Sequence, residues 1–232
     1  MNDNFMMFDS SKKFYGECSK EVEKLIELST SNQELIQLFI SSAVVLLGAK
    51  FESCIENLIE EYVNKINDES SKNKVPDELK FSSIYNKLVE YKERINNNHY
   101  DCFETDQNFL DEFSKFVNGI INNSNRLKIN NKFSYGKHGY KELVKLFKNI
   151  AVDIRLDNFN IYVRESIFSG VSHEITFESE FNKFTKNRNT VIHENECPNI
   201  TGDDIKNTVI IFKEFISKIE SELCDRLKNM KE

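Results

Sequence analysis

Apolar residues recur every three or four positions along residues 31–66, a spacing that places side chains on one face of an α-helix. The positions in this stripe are Leu35, Leu38, Phe39, Val45, Leu46, Ala49, Ile55, Ile59 and Val63. Ser31 and Glu34 have the spacing of a capping box, whose two side chains bind the free backbone N–H groups of a helix start. The pattern therefore predicts a long helix that begins at Ser31 and ends near residue 66.

A second stripe lies towards the C-terminus. Phe177, Phe181 and Phe184 are separated by four and then three residues, which predicts an amphipathic helix that begins near Phe177. Proline cannot continue a helix, and it also disfavours the helical conformation in the residue before it. Because Pro198 follows closely, this helix is expected to end soon after Asn195.

A third stripe closes the chain. Thr201 and Asp204 have the spacing of a second capping box, which predicts a helix over 203–228. Its apolar positions are Ile205, Val209, Phe212, Ile216, Ile219 and Leu223. Only a short turn separates the second and third stripes, so their helices are expected to run antiparallel.

Weaker patterns fill the rest of the chain. A helix is predicted around Val22, Leu25, Ile26 and Leu28, ahead of the first stripe. Further helices are predicted at 79–95, 109–121 and 140–150, with Asn-rich loops at 96–98 and 122–125.

These elements predict an all-α fold, a helical bundle with long antiparallel helices and an additional helical segment in the middle of the chain. Residues 1–232 are expected to form one domain with almost no strand. Its core is expected at 31–66 and 177–228, and the intervening helices and loops occupy 67–176. The composition favours helices as well, because the chain has only 7 Gly and 2 Pro.

Charge and cysteine content bound the function. The formal net charge of −7 argues against a broad surface that coats nucleic acid, but it allows a small basic cleft. The five cysteines form no CxxC pair, which is typical of free thiols in a reducing cytoplasm. The start of the chain has no signal-peptide pattern, and the longest apolar run, Ala43 to Leu47, is short for a bilayer. We therefore expect a cytoplasmic protein with no membrane segment.

The common catalytic signatures are missing from the sequence. It contains no Walker loop, no HExxH and no GxSxG. The four histidines, at 99, 138, 173 and 193, show no metal-ligand spacing among themselves or with cysteine. We expect no metal and no cofactor.

Arg188 occupies the next position on the phenylalanine stripe, where the pattern would place another apolar residue. A buried guanidinium needs an anion, a carboxylate or a polar groove. Asn189 and His193 are four residues apart and share a face. In an α-helix Arg188 and His193 lie about 140° apart, so they converge on one ligand only at a helix edge or where a second subunit completes the site.

Two structural interpretations of these residues stay open. Arg188 either snorkels to solvent or pairs with a core carboxylate, and His193 is an exposed residue stabilised by the dipole at its helix C-terminus. The same Arg-x4-His spacing also occurs at Arg94 and His99. That second pair runs from a helix into an Asn-rich loop, and we interpret it as a coincidence.

The segment from Lys186 to His193 resembles the signature of the HEPN superfamily, an arginine, a polar residue that is often asparagine, and a histidine. The stretch Gly48-Ala49-Lys50-Phe51-Glu52 is similar to the alanine–aromatic–glutamate segment of the RiboL-PSP-type subgroup. Residues 140–150 resemble the short helix that precedes the motif helix in that subgroup.

The resemblance implies a helical ribonuclease that acts on RNA without metal, usually as a homodimer whose motifs face one cleft. It implies proton transfer by His193 and phosphate binding by Arg188. Asn189 would orient the phosphate or the histidine, and Lys186 would add positive field. Glu52 would position Arg188, or it would form only a salt bridge at the edge of the core.

The family also suggests a setting in a toxin–antitoxin or phage-defence system, with an antitoxin or sensor protein as a further partner. Two alternatives stay open. One is a non-catalytic HEPN module that binds a partner protein or a nucleotide, and the other is a plain helical scaffold.

Overall fold

The computed structural model describes residues 8–68, 75–97, 102–134, 136, 138–156, 159–164 and 172–230. The α-helices in these ranges are α1 (Asp9–Lys13), α2 (Ser19–Ser31), α3 (Ile36–Asp68), α4 (Asp77–Asn97), α5 (Cys102–Ile121), α6 (Tyr140–Asn149), α7 (Phe177–Asn189) and α8 (Gly202–Asn229). Two π-helical segments, Phe14–Cys18 and Thr190–Glu194, and a 3₁₀ turn, Gln33–Leu35, join or extend them. The predicted helical fold is confirmed, whereas the antiparallel course of the long helices stays a prediction.

One small sheet was not predicted from the sequence. Strands β1 (Ile161–Arg164) and β2 (Ser172–Ile175) pair antiparallel, with Ile161 opposite Ile175. Each strand has only four residues, which is too short to produce a periodic signal. The hairpin leads directly into α7, whose N-cap is Thr176.

A cluster of phenylalanine rings forms the centre of the core. The ring centroid of Phe51 on α3 lies 4.1 Å from that of Phe212 on α8 and 5.5 Å from that of Phe181 on α7. Phe177 stacks on Phe215 at 3.8 Å with almost parallel rings. The three predicted stripes therefore pack against one another, as expected from their shared periodicity.

The predicted start of the long helix is wrong. Ser31 is the last residue of α2, and its hydroxyl donates to the carbonyl of Glu27 at 3.0 Å, so it does not cap a following helix. The chain turns at Asn32, which has an extended backbone, and α3 begins at Ile36. The first residues of α3, Ile36 to Leu38, are exposed to solvent.

The predicted apolar face of α3 is also wrong at its N-terminal end. Leu35 and Leu38 are 42% and 59% exposed, and the helix buries Ile40, Val44 and Leu47 instead. Almost all of the larger residues from Leu35 to Leu47 are apolar, so a helical stripe can be drawn along more than one face of this part of α3. From Ile55 onwards the predicted face is buried.

The second capping box is confirmed. The Thr201 hydroxyl accepts from the backbone N–H of Asp204 at 3.2 Å, and the Asp204 carboxylate accepts from the backbone N–H of Thr201 at 2.8 Å. Gly202 follows at the first helical position. A Cβ there would lie 2.6 Å from Cγ2 of Ile26, so glycine lets α8 begin in contact with α2.

Among the described residues, one helical stretch, Gln33–Asp68, is long and apolar enough to cross a membrane by length and composition alone. The five-residue run considered in the sequence therefore understates the apolar length of α3. The core helix of a soluble protein passes the same test, and 44% of the apolar window is buried inside the protein. The absence of a membrane segment stays a prediction.

Tyr62 provides a test of how this core is packed. Its side chain is fully buried on α3, and its hydroxyl has no hydrogen-bond partner in the described part of the chain. Burial is the main cause that raises its pKa from 10.0 to about 12. We expect Tyr62→Phe to raise the free energy of unfolding by about 1 kcal/mol at neutral pH, because it removes an unsatisfied buried hydroxyl.

The same pKa shift predicts a dependence on pH. The unfolded tyrosine ionises near 10 and the folded one near 12, so its contribution is complete below pH 10 and is lost as the pH rises through 12. Urea unfolding at pH 7 and pH 11 should show a smaller loss at high pH for Tyr62→Phe than for the wild type. The exposed Tyr85→Phe is the control, and an equal effect of both changes would contradict this account.

Candidate functional site

Arg188 lies at the C-terminal end of α7 and is only 9% exposed, although it carries a full charge. Its side chain crosses α3 at Gly48. A Cβ at Gly48 would lie 2.8 Å from Cδ and 2.9 Å from Nε of Arg188, closer than real Cβ contacts allow. Because glycine has no side chain, position 48 leaves room on α3 for the arginine side chain.

Glu52 lies one turn after Gly48 on the same face of α3, since the two are four residues apart. Its Oε1 is 3.4 Å from Nη1 of Arg188 and 2.8 Å from Nδ1 of His138. One carboxylate oxygen thus lies close to two nitrogen atoms, although Nδ1 of His138 makes no well-aligned hydrogen bond within the described residues. Burial is the largest influence on Glu52 and raises its pKa, while the charges of Arg188 and His138 act in the opposite direction.

His138 lies just before α6 and packs beside α7. Its ring centroid is 6.4 Å from that of Phe133, and the hydroxyl of Thr185 lies 3.5 Å from its carbonyl oxygen. The Thr185 hydroxyl also donates to the carbonyl of Phe181 at 2.8 Å. The loop before α6 therefore delivers this histidine to Glu52, opposite the arginine.

The guanidinium of Arg188 is incompletely paired. Its Nε is buried and has no hydrogen-bond partner in the described residues, and its contact to Glu52 is long for an ion pair. A guanidinium carries five N–H donors in a planar fork that matches a phosphate or a carboxylate. The side chain is therefore anchored at one nitrogen and has donors left for an anion.

His193 lies in the π-helical segment Thr190–Glu194, which continues α7 after Asn189. The segment ends at Asn195 in the left-handed conformation, with a φ of 55°. His193 is exposed and makes no hydrogen bond or ion pair within the described residues. It is thus accessible to a ligand next to the end of the motif helix.

The expected angle of about 140° between Arg188 and His193 assumed a continuous α-helix, and that assumption is wrong. Residues 190–194 are wound with i→i+5 hydrogen bonds, which widen the turn. Residues five apart lie more nearly above one another in such a turn. The angle of about 140° therefore does not apply to this pair.

The sequence model of the RiboL-PSP-HEPN family matches residues 14–225. The chain belongs to the RiboL-PSP-HEPN family. The match includes Glu52 on α3, His138 before α6 and both motif residues after it, so the resemblance inferred from the motifs is confirmed. Comparison with curated proteins gives no match, and comparison with solved structures gives none.

Membership in the HEPN family carries general properties. HEPN proteins are helical, they are often ribonucleases, and they typically bind RNA and dimerise. The roles assigned to Lys186, Glu52, Arg188, Asn189 and His193 stay predictions. Lys186 and Asn189 are exposed on α7, on either side of the buried arginine.

The second Arg-x4-His pair, Arg94 and His99, lies partly outside the described residues. Arg94 lies in α4, but nothing is described of its side chain, and His99 lies outside the described residues. In the part of the chain that is described, no group of three or more His, Cys, Asp or Glu side chains is placed to hold a metal ion.

From the sequence, no role was assigned to two residues of the candidate site, Gly48 and His138. Gly48 had a signal, because a glycine inside a helix costs about 1 kcal/mol relative to alanine and so calls for a packing reason. His138 had none, since it is 86 positions from Glu52 and follows a loop with no periodic pattern. Only the folded chain brings it to the carboxylate.

Proposed function

We propose that this HEPN module is an endoribonuclease that cleaves RNA through attack of the 2′-hydroxyl on the adjacent phosphate. The observation that carries the proposal is the position of Arg188, which is seated on Gly48, lies 3.4 Å from the Glu52 carboxylate and keeps 11% of its side chain exposed. A phosphodiester has several acceptor oxygens and can bind the guanidinium N–H groups on the side open to solvent.

The reaction needs proton transfer and charge stabilisation. His193 takes the proton from the 2′-hydroxyl, whose oxygen then forms a bond to phosphorus. The bond from phosphorus to the 5′-oxygen breaks, and that oxygen leaves with a proton. A histidine titrates near neutral pH and suits both proton steps, while the arginine fork stabilises the charge that builds on the phosphate oxygens.

The products are a 2′,3′-cyclic phosphate and a 5′-hydroxyl. RNA supplies its own nucleophile, so the proposed mechanism assigns no step to a metal ion. Asn189 and Lys186, which flank the arginine, would orient and attract the phosphate. In a homodimer, a second His193 would supply the acid for the leaving oxygen while the first acts as base.

The biological setting is part of the proposal. An RNA-cutting HEPN module fits a cytoplasmic toxin or anti-phage effector, which is held in check or activated by an antitoxin or sensor protein. This setting is supported by the family alone.

A second candidate function is a HEPN module that binds a partner protein without catalysis. It is favoured by an exposed apolar stripe on α4, where Phe81, Tyr85 and Leu88 are 70%, 56% and 47% exposed at spacings of four and three. A contiguous apolar face on a helix is typical of a protein-binding surface. Partner binding at this stripe would also be compatible with catalysis, because the stripe lies on a different helix from Arg188.

The test is the cleavage of an RNA oligonucleotide by the wild-type protein, with and without EDTA, followed by analysis of the product ends. We expect cleavage that survives EDTA and leaves 2′,3′-cyclic phosphates. Linear 3′-phosphates formed from the outset, or dependence on added metal, would exclude this mechanism. If the wild type cuts no RNA under any condition, the protein-binding function is favoured.

A further inference from the structure

The loop before α6 is attached to α3 along a row of carboxylates. Glu52, Glu56 and Glu60 are spaced four residues apart on one face of α3. Glu56 accepts from the backbone N–H of Phe133 at 3.0 Å and from Nζ of Lys132 at 2.8 Å. Beyond these contacts, the same loop places His138 against Glu52, the member of the row that faces Arg188.

We propose that His138 is a positioning residue of the site, which acts on Arg188 through the Glu52 carboxylate that both residues contact. The inference rests on the proposed ribonuclease function, which it extends by a residue outside the Arg-x4-His motif. The contact that defines this role is the one between His138 and Glu52, so His138 is assigned no proton transfer and no contact with RNA.

The argument starts from the cost of burying Glu52. Its side chain is only 17% exposed, and burial favours the neutral carboxyl, which holds a guanidinium poorly. Arg188 alone provides one long contact at 3.4 Å, whereas His138 provides a short one at 2.8 Å to the same oxygen. The ring of His138 therefore makes the closer approach to the carboxylate, and together with the charge of Arg188 it acts against the rise in the pKa of Glu52 that burial causes.

The other groups around Glu52 do not replace this interaction. Glu56 is the next charged group along α3, and its negative charge disfavours ionisation of Glu52. Lys132 lies at Glu56 rather than at Glu52. Without His138, Arg188 would be the one side chain among the described residues that contacts this mostly buried carboxylate, and its own orientation would loosen.

Substitutions at position 138 separate the interaction from the bulk of the ring. His138→Ala removes the contact, while His138→Asn places an amide nitrogen near the position of Nδ1 and keeps a donor to Glu52. Lys132→Ala is the matched control, because it removes one contact between the same loop and α3 without touching Glu52. Thermal unfolding of each variant verifies that it is folded.

Two readouts are needed. In the wild type the Nε–H of Arg188 gives its own ¹H–¹⁵N signal, which Arg188→Lys identifies by its loss. We expect His138→Ala to shift or broaden that signal and to lower kcat/KM for RNA by about tenfold, because Glu52 and then Arg188 lose the ring that packs against the carboxylate. His138→Asn should restore both, and Lys132→Ala should leave both near wild type.

The outcomes distinguish this inference from the proposed function. An unchanged arginine signal together with unchanged cleavage in His138→Ala overturns the inference and leaves the ribonuclease proposal intact. Equal losses in His138→Ala and Lys132→Ala also overturn it, since they would reflect the loop alone. If the wild type cuts no RNA, the ribonuclease proposal fails, and a shifted arginine signal then supports only the contact through Glu52.

Discussion

Arg188→Ala and His193→Ala are each expected to lower the rate of RNA cleavage by about 10²-fold or more. The arginine holds the phosphate through the transition state, and the histidine moves the proton, so neither step has a substitute in the site. His193 is exposed and makes no hydrogen bond or ion pair within the described residues, so His193→Ala should leave folding unchanged. Cleavage rates under single-turnover conditions, with thermal unfolding in parallel, measure both effects.

Arg188 requires a second variant, because its removal leaves the Glu52 carboxylate with only His138 as a partner. Arg188→Lys keeps a positive charge near Glu52 but loses the fork, and it should remain impaired to a similar degree. His99→Ala is the control for the histidine, as it has the same spacing from Arg94. Full activity of His193→Ala, or loss confined to His99→Ala, would show that the wrong motif was chosen.

Gly48→Ala is expected to abolish most of the cleavage, by about 10²-fold, without unfolding the protein. The added Cβ would lie 2.8 Å from Cδ and 2.9 Å from Nε of Arg188, so the guanidinium must leave its position. Alanine is favoured over glycine inside a helix by about 1 kcal/mol, which offsets the cost of moving a long side chain. The free energy of unfolding should therefore change little while activity is lost.

The neighbouring position provides the matched control for Gly48→Ala. Ala49 is exposed on the same helix and does not face Arg188. Ala49→Gly should destabilise the protein by about 1 kcal/mol through helix propensity and leave cleavage unchanged. Urea unfolding and single-turnover cleavage of both variants test the pair. Loss of stability and activity together in Gly48→Ala would contradict the account of glycine as a seat for the arginine.

Much of the fold follows from the sequence, and the reason is local. In the helices that contain Phe177, Phe181 and Phe212, polar residues occupy the positions between the apolar ones. The apolar pattern there fits only one helix face. The start of α3 is different, because nearly every residue from Leu35 to Leu47 that is not small is apolar, and the helical pattern then fits more than one face. The Ser31 hydroxyl could cap the following helix or bind the last turn of α2, and in the structure it donates to the carbonyl of Glu27 in α2.

The candidate site divides in the same way. Arg188 was identifiable because a charge interrupts an apolar stripe, and its contact with Glu52 is present as expected. His138 depends on a contact between distant segments, and the i→i+5 winding after Asn189 depends on how the chain approaches Asn195. Neither leaves a periodic trace, so no pattern of single residues could predict them.

The wide turn at Thr190–Glu194 bears on how such motifs are compared between relatives. An i→i+5 turn contains one residue more than an α-helical turn. In a regular α-helix, an arginine and a histidine four residues apart differ by only about 40° around the axis, so a chain with one residue fewer could present a similar pair of side chains. The gain or loss of a residue here would then be absorbed by a change of winding, and alignments that penalise such a gap would separate sites with the same geometry.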